Sequence, residues 1–290
     1  MPRKPLLVGS VYFLLFAMLF FVFMYGSSHV GGPGGLGRFQ RGERIALVRI
    51  DGVILDSEST VELLRQYRDD DDVKAILLRI DSPGGGVVPS QEIYDEVRAL
   101  KKVKKVVASM GTVAASGGYY IASASDKIIA NPGTLTGSIG VIMEMPNVAA
   151  LLQKVGVEGV VIKSGKNKDV GSPFRKMEPE ERALLQEVLD DVHAQFIDAV
   201  AEGRALDPAA VRLLADGRIF TGRQAKALGL VDELGSFQDS IRTTAEMVGI
   251  QGEPDVIESE KPYFFEMIKS RFWEWSAPRL PFRLSYLLTL

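Results

Sequence analysis

From residue 44 onward, short aliphatic runs alternate with stretches long enough to form helices, and no other feature of this 290-residue chain restricts its fold as strongly. IALVRI over residues 45–50, VKAILLRI over 73–80 and KVVASM over 105–110 read as strands, with further strands expected at 127–130, 139–143 and 159–163. Between them lie helical stretches at 59–70 and at 90–103, the second with Ser90 as its N-cap. A small-residue helix follows from about Ala114, then a long one over 178–203 and shorter pieces at 208–215 and 222–228. Strands buried on both faces read as apolar runs, and helix-length gaps between them imply βαβ crossovers. The expected fold is α/β around a buried parallel sheet.

Ahead of this body stands an uncharged apolar run, residues 6–25. About 20 residues rising 1.5 Å each span a hydrocarbon core of roughly 30 Å. Arg3 and Lys4 precede the run, which keeps residues 1–5 cytoplasmic and sends the rest across the plasma membrane. A cleaved signal peptide is the rival reading, but the run exceeds a usual h-region and no A-x-A site follows it. The expected organisation is therefore an anchor at 6–25, a glycine-rich flexible linker at 26–43, a folded domain at 44–250 and a tail at 251–290. The tail is aromatic and basic. Wound as a helix over 263–275, it is amphipathic and suits either a membrane interface or a protein surface.

Several chemistries are excluded at once. The chain has no cysteine, which removes thiol nucleophiles, thiolate metal sites and disulfides. Its only histidines are His29 and His193, so zinc motifs of the HExxH kind are absent and a Ser-His-Asp triad is hard to build. His193, alone in a helical stretch, reads as a bystander. The formal net charge of −3 gives no global field for nucleic acid, and no nucleic-acid partner is expected. The acidic run at 69–72 lacks calcium-ligand spacing and reads as a solvated turn, so no metal or other cofactor is expected.

Three loops carry the chemistry. GTVAASGGYYIASAS, residues 111–125, leaves a strand, packs small residues around Ser116 and turns helical. Gly117 and Gly118 clear the space beside that serine, and an N–H at a helix start can donate to a developing oxyanion. DSPGGG, residues 81–86, also ends an apolar strand and is neither a Walker loop nor a dinucleotide fingerprint. IKSGKNKDVGSP, residues 162–173, presents Lys163, Lys166 and Lys168. A lysine acting as base must fall from about 10.4 to about 7–8, roughly 4 kcal/mol supplied by burial or nearby cations. The residues alone do not choose among the three lysines.

Taken in order, DSPGGG, MGTVAASGGYYIAS, LTGSIGV, SGKNKD and DGRIFTGRQAKALGLVDELG resemble the signal peptide peptidase family of the SppA type, over about residues 45–250. That resemblance implies a ClpP/crotonase-like parallel βαβ spiral and a membrane-anchored serine endopeptidase with a serine-lysine dyad. It implies Ser116 as nucleophile, Lys168 as base, Ser138 as the serine that orients the lysine, and Gly85 and Gly117 as oxyanion donors. It implies peptide substrates such as signal-peptide remnants, with small or apolar residues near the scissile bond, and a homo-oligomeric assembly. Two readings from other classes remain: a crotonase-like enzyme acting on an acyl thioester, and a non-catalytic membrane scaffold of the same fold.

Overall fold

The computed structural model describes Met18, residues 43–259 and residues 283–287. The chain divides into two units, Met1–Arg41 and Gly42–Leu290, and the second is the subject below. The expected anchor, apart from Met18, lies outside the described residues, as do the linker up to residue 42 and the amphipathic tail segment 263–275. No helix among the described residues is long and apolar enough to cross a membrane.

The sheet begins with β1 (Arg44–Asp51), which passes through α1 (Glu58–Asp69) to β2 (Val73–Ser82). A short strand β3 (Gly84–Gly86) leads into α2 (Val87–Lys101), then β4 (Lys105–Ala115) and α3 (Gly117–Ser123). Next come β5 (Lys127–Ala130), β6 (Leu135–Gly137), β7 (Ile142–Glu144) and the short α4 (Ala149–Lys154). The long α5 (Pro179–Arg204) is followed by α6 (Pro208–Leu214), β8 (Ile219–Thr221), α7 (Gly222–Ala227), β9 (Glu233–Leu234) and α8 (Phe237–Val248). Two strands lie beyond residue 250, β10 (Asp255–Glu258) and β11 (Arg283–Leu287).

Strands β10, β1, β2, β4, β5 and β9 lie side by side in that order, every pair parallel. Strand β4 is long enough to hold two partners on one edge. Its first half pairs with β5 and its last residues, Val113–Ala115, pair with β6. Strand β8 then adds antiparallel to β6. The class expected from the sequence, α/β with a parallel-rich sheet, is the one observed.

Alternation along the strands explains why both faces are apolar. Ala46, Val48 and Ile50 enter one core layer, while Ile45 and Leu47 enter the other. The first layer includes side chains of α2, α3 and α5, among them Ile93, Val97, Ile121, Phe196 and Val200. The second contains Leu77, Val107 and Ile129 against Phe237, Ile241 and Ala245 of α8. Fully burying one such aliphatic side chain contributes about 1.5–3 kcal/mol, so the sheet is held from both sides. Helix ends are fixed locally. Glu178 and Glu181 form a capping box at the start of α5, Ser236 and Asp239 another at α8, and Gly249 closes α8 in the left-handed region.

Two expected strands differ. The run expected at 139–143 is displaced, because β6 ends at Gly137 and β7 starts at Ile142. The run at 159–163 forms no strand; Val160, Val161 and Ile162 are 82%, 52% and 96% exposed. A β-branched run becomes a strand only against an edge, and no strand pairs with this one among the described residues. A second, three-stranded sheet was not anticipated. In it β11 lies between β3 and β7, antiparallel to both.

Candidate active site

Ser116 sits between the end of β4 and the first residue of α3, with φ 53° and ψ −119°. An L-residue at positive φ is strained by about 1–3 kcal/mol, and the surrounding contacts must hold it there. They do so from the backbone: Ser116 N–H donates to Gly137 O at 2.8 Å, and Tyr120 N–H donates to Ser116 O at 2.8 Å. The adjoining strand is bonded crosswise as well, Thr136 Oγ1 to Ala114 O at 2.6 Å and Thr134 Oγ1 to Gly111 O at 2.8 Å. The serine is 1% exposed.

Gly117 opens α3, so its N–H has no acceptor within the helix. A methyl group added at Gly117 would lie 3.2 Å from the Gly85 nitrogen and 2.5 Å from Ser90 Oγ. One added at Gly84, which has φ +100°, would lie 2.7 Å from the Gly117 nitrogen. Only glycine allows these two backbone segments to come this close. Ile54 holds the triglycine strand from its other side, donating to Gly84 O at 2.9 Å and accepting from Gly86 N–H at 2.8 Å. The backbones of Gly84–Gly85 and Gly117 thus pack closely against each other, and Gly117 directly follows Ser116.

Ser138 follows β6 directly, again at positive φ (50°), and its N–H donates to Arg218 O at 2.8 Å. It lines a cleft of about 450 Å³ with Gly140, Asp190, His193, Asp216 and Leu287. His193 Nε2 in that cleft is buried without a protein partner.

Lys168 is in a different position. It is exposed, and it makes no hydrogen bond to Ser116 or Ser138. Lys163 is occupied: its Nζ contacts Asp169 at 2.5 Å and Lys166 O at 2.9 Å. Asp169 also accepts from Arg175 Nε at 2.8 Å, and Arg175 reaches on to Glu181 at 2.5 Å. The hydrogen bonds from Arg175 and Lys163 hold the Asp169 carboxyl below the ordinary carboxylate range. Arg175 and the Glu178 amide lower Glu181 to about 2. This brace was not seen in the sequence, although Asp169 stands next to Lys168 in SGKNKD.

A cluster of rings is the other feature missed. Tyr120 meets Tyr94 edge-on at 4.8 Å and Phe196 at 4.9 Å. Tyr94 and Tyr120 are both pushed up to about 12 by burial. The YY of GGYY was the available signal. The two tyrosines diverge, Tyr119 donating to Leu230 O at 2.9 Å while Tyr120 turns to the rings.

A serine held at positive φ in a strand-to-helix turn has the geometry of the elbow that presents nucleophilic serines in other hydrolase folds. The profile of Peptidase family S49 matches residues 98–251, and that of Clp protease matches residues 53–135. The chain belongs to peptidase family S49. A Synechocystis sp. protein provisionally named a protease is 47% identical over 225 residues, 76% of this chain and 81% of its own length. An Enterococcus faecium protein provisionally named a signal peptide peptidase SppA is 39% identical, over 69% of this chain and 62% of its own. Protease 4 of Haemophilus influenzae is 36% identical over 74% of this chain and 37% of its own length.

Proposed function

We propose that this peptidase hydrolyses peptide bonds with a Ser116–Lys168 dyad, in a ClpP/crotonase-like spiral domain anchored to the plasma membrane by residues 6–25. The observation that carries this reading is Ser116, strained at the start of α3 next to the Gly85 and Gly117 amides. In the reaction, neutral Lys168 accepts the Ser116 proton as Oγ attacks the substrate carbonyl carbon. The oxyanion is held by the two amides, with Ser138 orienting the lysine. The C–N bond then breaks and lysine delivers its proton to the leaving amine. A water molecule, deprotonated by the same lysine, releases the acid.

Because Lys168 is exposed here, this chemistry requires the loop bearing it to close over Ser116 and desolvate the amine. The same loop region presents an apolar surface, with Val160, Ile162 and Phe174 at 82%, 96% and 56% exposure. Such a surface favours burial against other copies of the chain, in keeping with a homo-oligomer. Arg3 and Lys4 before the apolar run favour a cytoplasmic N-terminus and an extracytoplasmic domain. Remnant signal peptides and other small membrane-associated peptides are the substrates suited to a tethered site.

Hydrolysis of a fluorogenic peptide by purified Ser116→Ala, compared with wild type, tests the reading. Activity should fall at least 1,000-fold, in line with the loss of an activated nucleophile, while circular dichroism is unchanged. Activity within a few-fold of wild type would exclude Ser116.

A further inference from the structure

Ser82 and Ser90 bracket the three glycines of DSPGGG, and both are 0% exposed. Ser82 ends β2. Ser90 lies one turn inside α2, whose N-cap is Gly86 and not the serine expected from the sequence. A buried hydroxyl needs a partner, and each of these finds one in the triglycine backbone. Ser82 Oγ accepts from Gly84 N–H at 3.1 Å, and Ser90 Oγ donates to Gly86 O at 2.8 Å. Ile54 takes the two groups between, donating to Gly84 O and accepting from Gly86 N–H. Every polar backbone atom of Gly84 and Gly86 is thereby engaged. Gly85 is the exception: its N–H and C=O point away from the Ile54 edge, towards β11, in which Tyr286 is its register partner.

The same two serines also reach the start of α3. A methyl group built on Gly117 would lie 2.5 Å from Ser90 Oγ. One built on Gly118 would lie 2.9 Å from Ser82 O and 3.5 Å from Ser82 Cβ. Ser90 therefore meets both Gly86 and Gly117, while Ser82 meets both Gly84 and Gly118. A helical serine often bonds the carbonyl four residues back, and that bond alone would only steady α2. The oxygen of Ser90 is in addition packed against Gly117, the residue after Ser116. Two buried hydroxyl residues thus join the triglycine strand to the turn that carries the serine, one at each end of the strand.

We propose that Ser82 and Ser90 are positioning residues of the peptidase, which fix the Gly84–Gly86 strand against the turn bearing Ser116 and so aim the Gly85 N–H. They act through that amide and not on the substrate. This rests on the reading above, with Ser116 as nucleophile and Gly85 as an oxyanion donor. Removing either hydroxyl frees one end of the strand, so the loss falls on the charge that develops during attack and not on peptide binding.

The test measures hydrolysis of a fluorogenic peptide by Ser82→Ala, Ser90→Ala and wild type, each shown to be folded by circular dichroism at the assay temperature. Ser240→Ala is the control. Ser240 is likewise 0% exposed, but it hydrogen-bonds Ser109 Oγ at 2.9 Å from α8, on the other face of the sheet. Removing an oxyanion donor outright costs about 100- to 1,000-fold in kcat, and misaiming one should cost about 10- to 100-fold. Each of the two serine variants should therefore lose about 10-fold or more in kcat with KM within about 3-fold of wild type, whereas Ser240→Ala keeps kcat within about 2-fold. Fluorophosphonate labelling of Ser116 should slow by a similar factor, because the phosphoryl oxygen uses the same donors. A kcat within 2-fold of wild type, a rise in KM at constant kcat, or an equal loss in Ser240→Ala overturns the positioning role and leaves the nucleophile in place. Should one of the two variants fail to fold, the other decides. No adduct at Ser116 in the wild-type chain overturns the peptidase reading itself, and the positioning role with it.

Discussion

The N–H of Ser116 donates to the carbonyl of Gly137 across 2.8 Å, and this bond sets the two proposed site serines at the ends of neighbouring parallel strands. Ser116 ends the β4 side and Ser138 the β6 side, each at positive φ. Parallel strands end on the same edge of a sheet, so their following loops converge there, as ligand-binding loops of α/β sheets do.

Gly84→Ala probes how closely the two glycine segments approach. The new methyl would meet the Gly117 nitrogen at 2.7 Å and the Tyr286 carbonyl at 2.0 Å, at a φ of +100° that L-residues rarely adopt. The strain alone is about 1–3 kcal/mol, and the amides must separate. Peptide hydrolysis should drop at least 100-fold, with a melting temperature lower by several degrees. A fully active Gly84→Ala chain would show that these amides do not act together.

The lysines separate by the partners they already have. Lys163 is committed to Asp169 and Lys166 O, so Lys163→Ala should loosen the loop yet retain activity within about 10-fold, a cost of roughly 1.4 kcal/mol. Lys168→Ala and Lys168→Arg should both be nearly inactive, since arginine stays protonated at working pH. Rates measured side by side decide the matter; the opposite ranking would move the base to Lys163.

Acid should release the lysine loop. Asp169 and Glu181 have carboxyl pKa values lowered in the folded chain, chiefly by hydrogen bonds from Arg175. Groups with depressed folded pKa values stabilise the fold above their unfolded values and lose that contribution as pH falls through the folded ones. For Glu181 the window runs from its ordinary 4.5 down to about 2. Amide exchange over residues 163–181 should therefore quicken as pH falls below about 4.5, after correction for the intrinsic rate. Arg175→Ala should show that faster exchange already at pH 7. Protection unchanged in the variant would mean that other contacts hold the loop.

Most of the sheet was legible in the sequence because its strands are buried on both faces. IALVRI, VKAILLRI and KVVASM have no polar alternation to confuse with a helix, and all three form strands with their neighbours. The glycines of DSPGGG stand at the end of a strand as expected, whereas β4 runs on to Ala115, past the expected end at Met110, and α3 starts at Gly117 instead of near Ala114, so Ser116 falls between the two elements. GVVIK at 159–163 misled because β-branched composition reports a propensity and not a partner. Strand β11 could not be read at all. Its pairing with Gly84–Gly86 spans some two hundred residues, and the three glycines supply no side-chain pattern to announce a strand. The Asp169–Arg175–Glu181 brace was hidden for a related reason: charged residues in a polar loop look solvated until their partners are known.

The central claim is that Ser116 is the activated nucleophile and Lys168 activates it. Its most direct measurement is mass mapping of the fluorophosphonate adduct on the purified chain, in wild type and in Lys168→Ala. A single adduct on the peptide containing Ser116, formed at least 100-fold more slowly in Lys168→Ala, is the result expected. An adduct on another residue, or equal labelling rates in the two chains, would contradict the account.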